Sequence, residues 1–218
     1  MKVKISASIL EVDPLSYYQS IKIAVENGIT LFHFDITDGI YAKRISFGDR
    51  LVSSILRSFN VTGELHLMVS RPELQIESFL NLDKVETIYF HPEASADPVK
   101  LVKTVKDNGK KAGIALNALS YFESALLSEV DSVLLLLVKP GEGGQRLNPS
   151  SLEAISELKR FREKRGMNYT ISADGGIKPE NAKDVAEAGA EMLVIGTGIF
   201  SGSIAENIEK LKESIQFI

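Results

Sequence analysis

The stretch YTISADGGIKPENAKDVAEAGAEMLVIG, residues 169–196, holds two short β-type runs, YTISAD (169–174) and EMLVIG (191–196). Between them lies a segment of helical character that Ala188-Gly189 brings to a stop. Strand, helix and strand in so few residues make a βαβ unit, and the same alternation runs through the rest of the chain. The other strand candidates are VKISASIL (3–10), TLFHFDI (30–36), GELHLMV (63–69), ETIYFH (86–91), KAGIALN (111–117) and SVLLLLV (132–138). Several are apolar on consecutive positions, as strands covered on both faces are. PLSYYQSIKIAVENG and NPSSLEAISELKRFREKRG read as amphipathic helices, the second opening with Asn148 as cap and Pro149 in the first turn. Asn27-Gly28, Asn108-Gly109 and Arg165-Gly166 place glycine where further helices should end. Eight βα units without a break in composition predict an α/β fold, a single-domain (β/α)8 TIM barrel over residues 1–218. A doubly wound open sheet fits less well, because SASILEVDP follows the first strand where a G-x-G-x-x-G would be expected.

Composition narrows the chemistry. A net charge of −4 gives no electrostatic reason to expect nucleic acid or an anionic membrane as partner. With Cys 0, disulfides and thiolate metal sites are excluded, so any metal must be held by imidazole and carboxylate groups. MKVKISASIL lacks a signal-peptide pattern and no apolar run reaches membrane-span length, so a cytoplasmic, unprocessed chain is expected.

Four residues sit where β-type runs end: His33 and Asp35 in LFHFDITDG, His66 in GELHLMV and Asp174 in SADGGI. His33 and Asp35 are two apart, so on one strand they share a face. Two imidazoles and two carboxylates suffice to hold one divalent metal and to move protons. Ser8, His91 and Asn117 also fall near strand ends, which is where barrels of this type carry their sites. Glycines cluster after the last three strands: Gly141, Gly143 and Gly144, then Gly175 and Gly176, then Gly196 and Gly198 around Thr197. Glycine lets backbone N–H groups approach an anion closely, so these loops predict a phosphate cradle. Asp38, in the turn Thr37-Asp38-Gly39-Ile40, reads as a turn residue and not as a catalytic one.

The strings ISASIL, HFDITDG, ELHLMV, ALN, KPGEGGQ, ADGGIKPEN and VIGTGIF resemble, in order and spacing, the ribulose-phosphate 3-epimerases and the related allulose-6-phosphate 3-epimerases. The resemblance covers essentially the whole chain. It implies an isomerase that inverts C3 of a ketose phosphate through an enediolate, most simply D-ribulose 5-phosphate to D-xylulose 5-phosphate, a step of the pentose phosphate pathway. It implies Asp35 and Asp174 as acid and base. Together with His33 and His66 they would hold one zinc, iron, manganese or cobalt ion per subunit. Ser8, His66 and Met68 would lie at the sugar, and Gly144, Gly175, Gly176, Gly196 and Thr197 at the phosphate. The partner is thus a small sugar phosphate, and similar enzymes form dimers or hexamers.

The chain departs from the family pattern in places. Thr37 and Leu136 stand where methionine is common, Lys139 replaces Asn or Glu, and Glu142 replaces the phenylalanine of P-G-F-G-G-Q. A carboxylate about 4 Å from a phosphate would cost on the order of 1 to 4 kcal/mol. These changes raise two alternatives, a six-carbon ketose 6-phosphate such as allulose 6-phosphate as substrate, or a non-catalytic phosphate-binding paralogue. An aldolase or decarboxylase of the hexulose-phosphate synthase type is disfavoured, since the third strand reads ELHLMV in place of D-x-K-x-x-D.

Overall fold

In a computed structural model that describes residues 3–117, 124–138, 144–147 and 150–216, eight parallel strands close into a barrel in chain order. They are β1 (Lys4–Ser8), β2 (Leu31–Thr37), β3 (Thr62–Met68), β4 (Val85–Phe90), β5 (Lys111–Asn117), β6 (Ser132–Leu136), β7 (Thr170–Asp174) and β8 (Met192–Ile195). Closure is made where β1 pairs with β8, Lys4 opposite Met192 and Ala7 opposite Ile195. The expected TIM barrel is therefore the observed fold.

Helices cover the outside: α1 (Tyr17–Glu26), α2 (Asp49–Phe59), α3 (Pro72–Gln75), α4 (Glu77–Leu80), α5 (Pro98–Asp107), α6 (Ser124–Leu127), α7 (Ser150–Arg165), α8 (Ala182–Ala188), α9 (Thr197–Phe200) and α10 (Ile204–Ile215). Gly28, Gly109, Gly166 and Gly189 follow α1, α5, α7 and α8 with positive φ, as the helix-stop reading expected. The cap Asn148-Pro149 lies outside the described residues. No described helix is long and apolar enough to cross a membrane.

Period-2 alternation divides the strands between two environments. Phe32, Phe34 and Ile36 of β2, Leu65 and Leu67 of β3, and Val133 and Leu135 of β6 point outward into one large core shared with the helices. The inward positions form only a small apolar cluster of Tyr89, Ala115, Leu134, Leu136 and Val194. The barrel's other inward side chains include Glu64 and His66 beside His33 and Asp35, in register across β2 and β3. Ser132 and Ser172 meet the hydroxyl of Tyr89 from β6 and β7. The larger hydrophobic core thus lies between the barrel and its helices, while the inside combines a small apolar cluster with buried polar groups that hydrogen-bond one another.

Candidate active site

At the C-terminal mouth, the four residues singled out in the sequence converge. His33, Asp35, His66 and Asp174 each place a possible ligand atom within 4.8 Å of all the others. His33 Nε2 is 3.3 Å from Asp35 Oδ1, and His66 Nδ1 lies 3.1 Å from the same oxygen and 3.9 Å from Asp174 Oδ2. Ser8 donates to the other oxygen, Asp35 Oδ2, at 2.7 Å. One difference from the sequence reading concerns depth. His33 is the third residue of β2 and sits one layer below Asp35, reaching the cluster from beneath.

Burial sets the charges. It pushes the Asp174 carboxyl up to about 7, with the negative charge of Asp35 adding to the effect. Burial acts on Asp35 in the same sense, but His33 and His66 overcome it and hold that carboxyl well below the usual range. For His33, burial opposes the charged form, yet Asp35 and Glu64 keep it well above 6.5. His66 is pushed down to about 4 by burial, with His91 and His33 adding to that effect against the pull of Asp35. Near neutral pH, with no metal bound, Asp35 is ionised, Asp174 is near its midpoint and an imidazolium supplies the countercharge.

That arrangement fits a divalent cation. The His33 Nε2 atom is buried without a hydrogen-bond partner, although it faces a carboxylate oxygen. Two imidazole nitrogens and two carboxylate oxygens are a donor set for zinc or a first-row transition metal.

A cavity opens above this cluster. Its wall includes Ser8, Asp35, Met68, Leu136, Asp174, Gly144, Gly175, Gly176, Gly196 and Thr197. Every residue expected at the sugar or phosphate therefore lines one cavity except His66, which is fully buried behind it. Gly176 has φ +68°, and a Cβ there would come within 2.5 Å of the Leu147 backbone nitrogen. Only glycine lets these two loops approach so closely. The departures Lys139 and Glu142 and the glycines Gly141 and Gly143 lie outside the described residues.

The Ribulose-phosphate 3 epimerase family model matches residues 4–200. The chain belongs to that family. It is 33% identical to the ribulose-phosphate 3-epimerase of Buchnera aphidicola subsp. Acyrthosiphon pisum, over 99% of this chain and 96% of that protein. It is also 33% identical to the Escherichia coli K12 protein of the same name, over 90% and 88%. Among solved structures, a 3-hexulose-6-phosphate synthase superposes with a TM-score of 0.70 at 16% identity, covering 97% of this chain and 99% of that one, a likeness of fold.

Around the four residues stand further groups: Ser46 and Glu64, which the sequence reading passed over, Asp38, read there as a turn residue, and His91, read as a strand-end residue. Ser46 donates to the backbone oxygen of Asp35 at 2.7 Å and accepts from the Thr37 N–H at 3.0 Å, tying the loop after β2 to the strand end. Asp38 accepts from Ile40 and Tyr41 N–H, the turn role expected of it, and also from both donors of Ser70. Burial would raise that carboxyl, but these hydrogen bonds hold it at about 2. Glu64 is 2.9 Å from His33 Nδ1. His91 packs its Nε2 3.0 Å from that of His66, and beyond it lies Glu93, 3.3 Å from His91 Nδ1. Glu64 stands two residues before His66 in GELH, so the period of a strand was the available signal for it.

Proposed function

We propose that the chain is an isomerase that interconverts D-ribulose 5-phosphate and D-xylulose 5-phosphate, with Asp35 and Asp174 as its two proton-transfer groups. The observation that carries this reading is the convergence of two carboxyls, Asp35 and Asp174, with two imidazoles beside a glycine-lined cavity; without metal, their surroundings push the two carboxyls in opposite directions. A single base acting from one face returns the proton to the face it left. Inversion at C3 needs an acid and a base on opposite faces, poised in different protonation states.

In this reading the phosphate sits between the glycine loops of Gly144, Gly175, Gly176 and Gly196, with the Thr197 hydroxyl as a further donor. That anchor places C3 between Asp35 and Asp174 at the floor of the cavity. The ionised carboxylate takes the C3 proton, electrons move toward the C2 oxygen, and the protonated carboxyl delivers its proton to the opposite face. Ser8, donating to Asp35 Oδ2, favours the ionised form of Asp35 and fixes its orientation. Met68 and Leu136 line the cavity and limit water near the reacting carbons. His33, Asp35, His66 and Asp174 would hold a zinc, iron, manganese or cobalt ion, which would supply positive charge as negative charge develops on the C2 oxygen. A dimeric or hexameric state belongs to the same reading and rests on the resemblance to similar enzymes.

The test is a coupled assay of ribulose 5-phosphate conversion on chelator-stripped protein given each metal in turn. Turnover restored by metal in the parent protein, and absent in Asp35→Asn and Asp174→Asn, is the expected outcome. Folded, metal-loaded protein without turnover would overturn the reading. Leu136 on the cavity wall, where methionine is common in the family, favours a second reading in which a six-carbon ketose 6-phosphate is the better substrate. A higher kcat/KM for allulose 6-phosphate than for ribulose 5-phosphate would decide for it.

A further inference from the structure

Beneath the cluster, Glu64 is 2% exposed and turns one carboxylate oxygen to His33 Nδ1 at 2.9 Å. Its second oxygen faces the Tyr89 hydroxyl at 3.4 Å, and that hydroxyl lies 3.0 Å from both Ser132 Oγ and Ser172 Oγ. Tyr89 can occupy the barrel centre because β5 offers Gly113 opposite it, where a Cβ would meet the ring at 2.3 Å. Four strands thus contribute to a polar assembly that touches the cluster through one imidazole. A carboxylate oxygen at Nδ1 can only accept, so Nδ1 keeps its proton in either charge state of the ring, and it is Nε2 that gives up its proton to present a lone pair to a metal beside Asp35.

We infer that Glu64, held by Tyr89, is a positioning residue that fixes the tautomer and ring orientation of His33 for metal binding. The inference rests on the four-ligand reading above. It does not extend to His66, whose far nitrogen faces His91 and not a carboxylate. Partners of this kind raise ligand basicity, and their loss commonly weakens metal binding about 10–100-fold.

The chain has three histidines, all near the site, so the tautomers can be read directly. In zinc-loaded protein labelled with 15N-histidine, two-bond proton–nitrogen correlations should show His33 protonated at Nδ1, with Nε2 bearing the metal shift. Glu64→Met, close to glutamate in size but without an acceptor, should raise the zinc Kd about 10–100-fold, and Tyr89→Phe should raise it less. A His33 protonated at Nε2, or a folded Glu64→Met protein with the parent Kd, would overturn the inference. If Glu64→Met does not fold, the correlation spectrum of the unmutated chain decides alone. His33→Ala separates the two levels: if it binds zinc as tightly as the parent, the four-ligand reading itself fails, whatever Glu64 does.

Discussion

Asp35 and Asp174 are chemically identical side chains that the barrel has made different. Asp35 faces two imidazoles and a serine hydroxyl, whereas Asp174, with a fifth of its side chain exposed, feels burial and the charge of Asp35. Replacing either by asparagine should lower kcat by roughly 10²-fold or more, the usual worth of a general acid or base, as steady-state kinetics with saturating metal would show. Metal affinity of the stripped protein should rise as pH rises toward and through about 7, because the Asp174 proton must leave before its oxygen can bind. Titrating the apo-protein with zinc at several pH values checks this, and Asp174→Asn should flatten the dependence. Stability without metal has the opposite sign. The folded state holds the Asp174 proton more tightly than the unfolded chain does, so this group's contribution falls as pH climbs from about 4 to about 7. His33, also raised, acts in the same direction, while Asp35, depressed, loses its stabilising contribution only as acid protonates it. His66, pushed down to about 4, works against this between about 4 and 6.5, so the Asp174 share is read as a difference: Tm of stripped parent minus Tm of stripped Asp174→Asn should fall as pH climbs from about 4 to about 7.

At the scale of strands and loops, the same glycine count hides different physical demands. Gly176 combines a left-handed φ with a backbone neighbour that cannot yield. Gly176→Ala should cost about 1–3 kcal/mol in backbone strain alone, and should raise KM by moving the loop that holds the phosphate. Gly196 has no such demand, since a Cβ there would make an ordinary 3.5 Å contact with the Ser8 carbonyl. Gly196→Ala should keep its stability within about 0.5 kcal/mol, and comparing the denaturation midpoints of the two variants checks the contrast. Strand positions were legible from runs of apolar residues, and β5 begins and ends where the sequence placed it, at Lys111 and Asn117. The first strand was read too long at both ends: Val3, Ile9 and Leu10 continue its apolar run, but pairing with β2 and β8 stops at Ser8. Hydrophobicity reports burial, and burial extends past the last ladder hydrogen bond.

The whole molecule explains why the barrel was easier to read than its centre. Period-2 alternation is plain in LFHFDIT, but SVLLL is apolar on both faces, so the sequence does not say which leucines face the inside. Ser132 and Ser172 look like unremarkable strand serines until closure brings them to Tyr89, across 43 and 83 residues of chain. For Glu64 the strand period gave the face it shares with His66 but not its role, because a buried carboxylate is recognised only by the partner that satisfies it. The four ligand candidates were legible because imidazole and carboxylate at strand ends are unusual, and because the motif order matched a family. The last helix, α10, packs against α1, α8 and α9 on the outer shell. Leu211 of α10 is fully buried, and Leu211→Ala should cost about 2–5 kcal/mol while leaving zinc affinity unchanged, by calorimetry and metal titration.

Two carboxyls acting from opposite faces leave an isotopic signature. Ribulose 5-phosphate converted in D2O to low extent by the metal-loaded protein should give xylulose 5-phosphate carrying deuterium at C3, while the unreacted substrate keeps its protium, as mass spectrometry and proton NMR would show. Product that retains the substrate's own C3 proton would mean one group serves both faces, and would contradict the assignment of Asp35 and Asp174 as an acid–base pair.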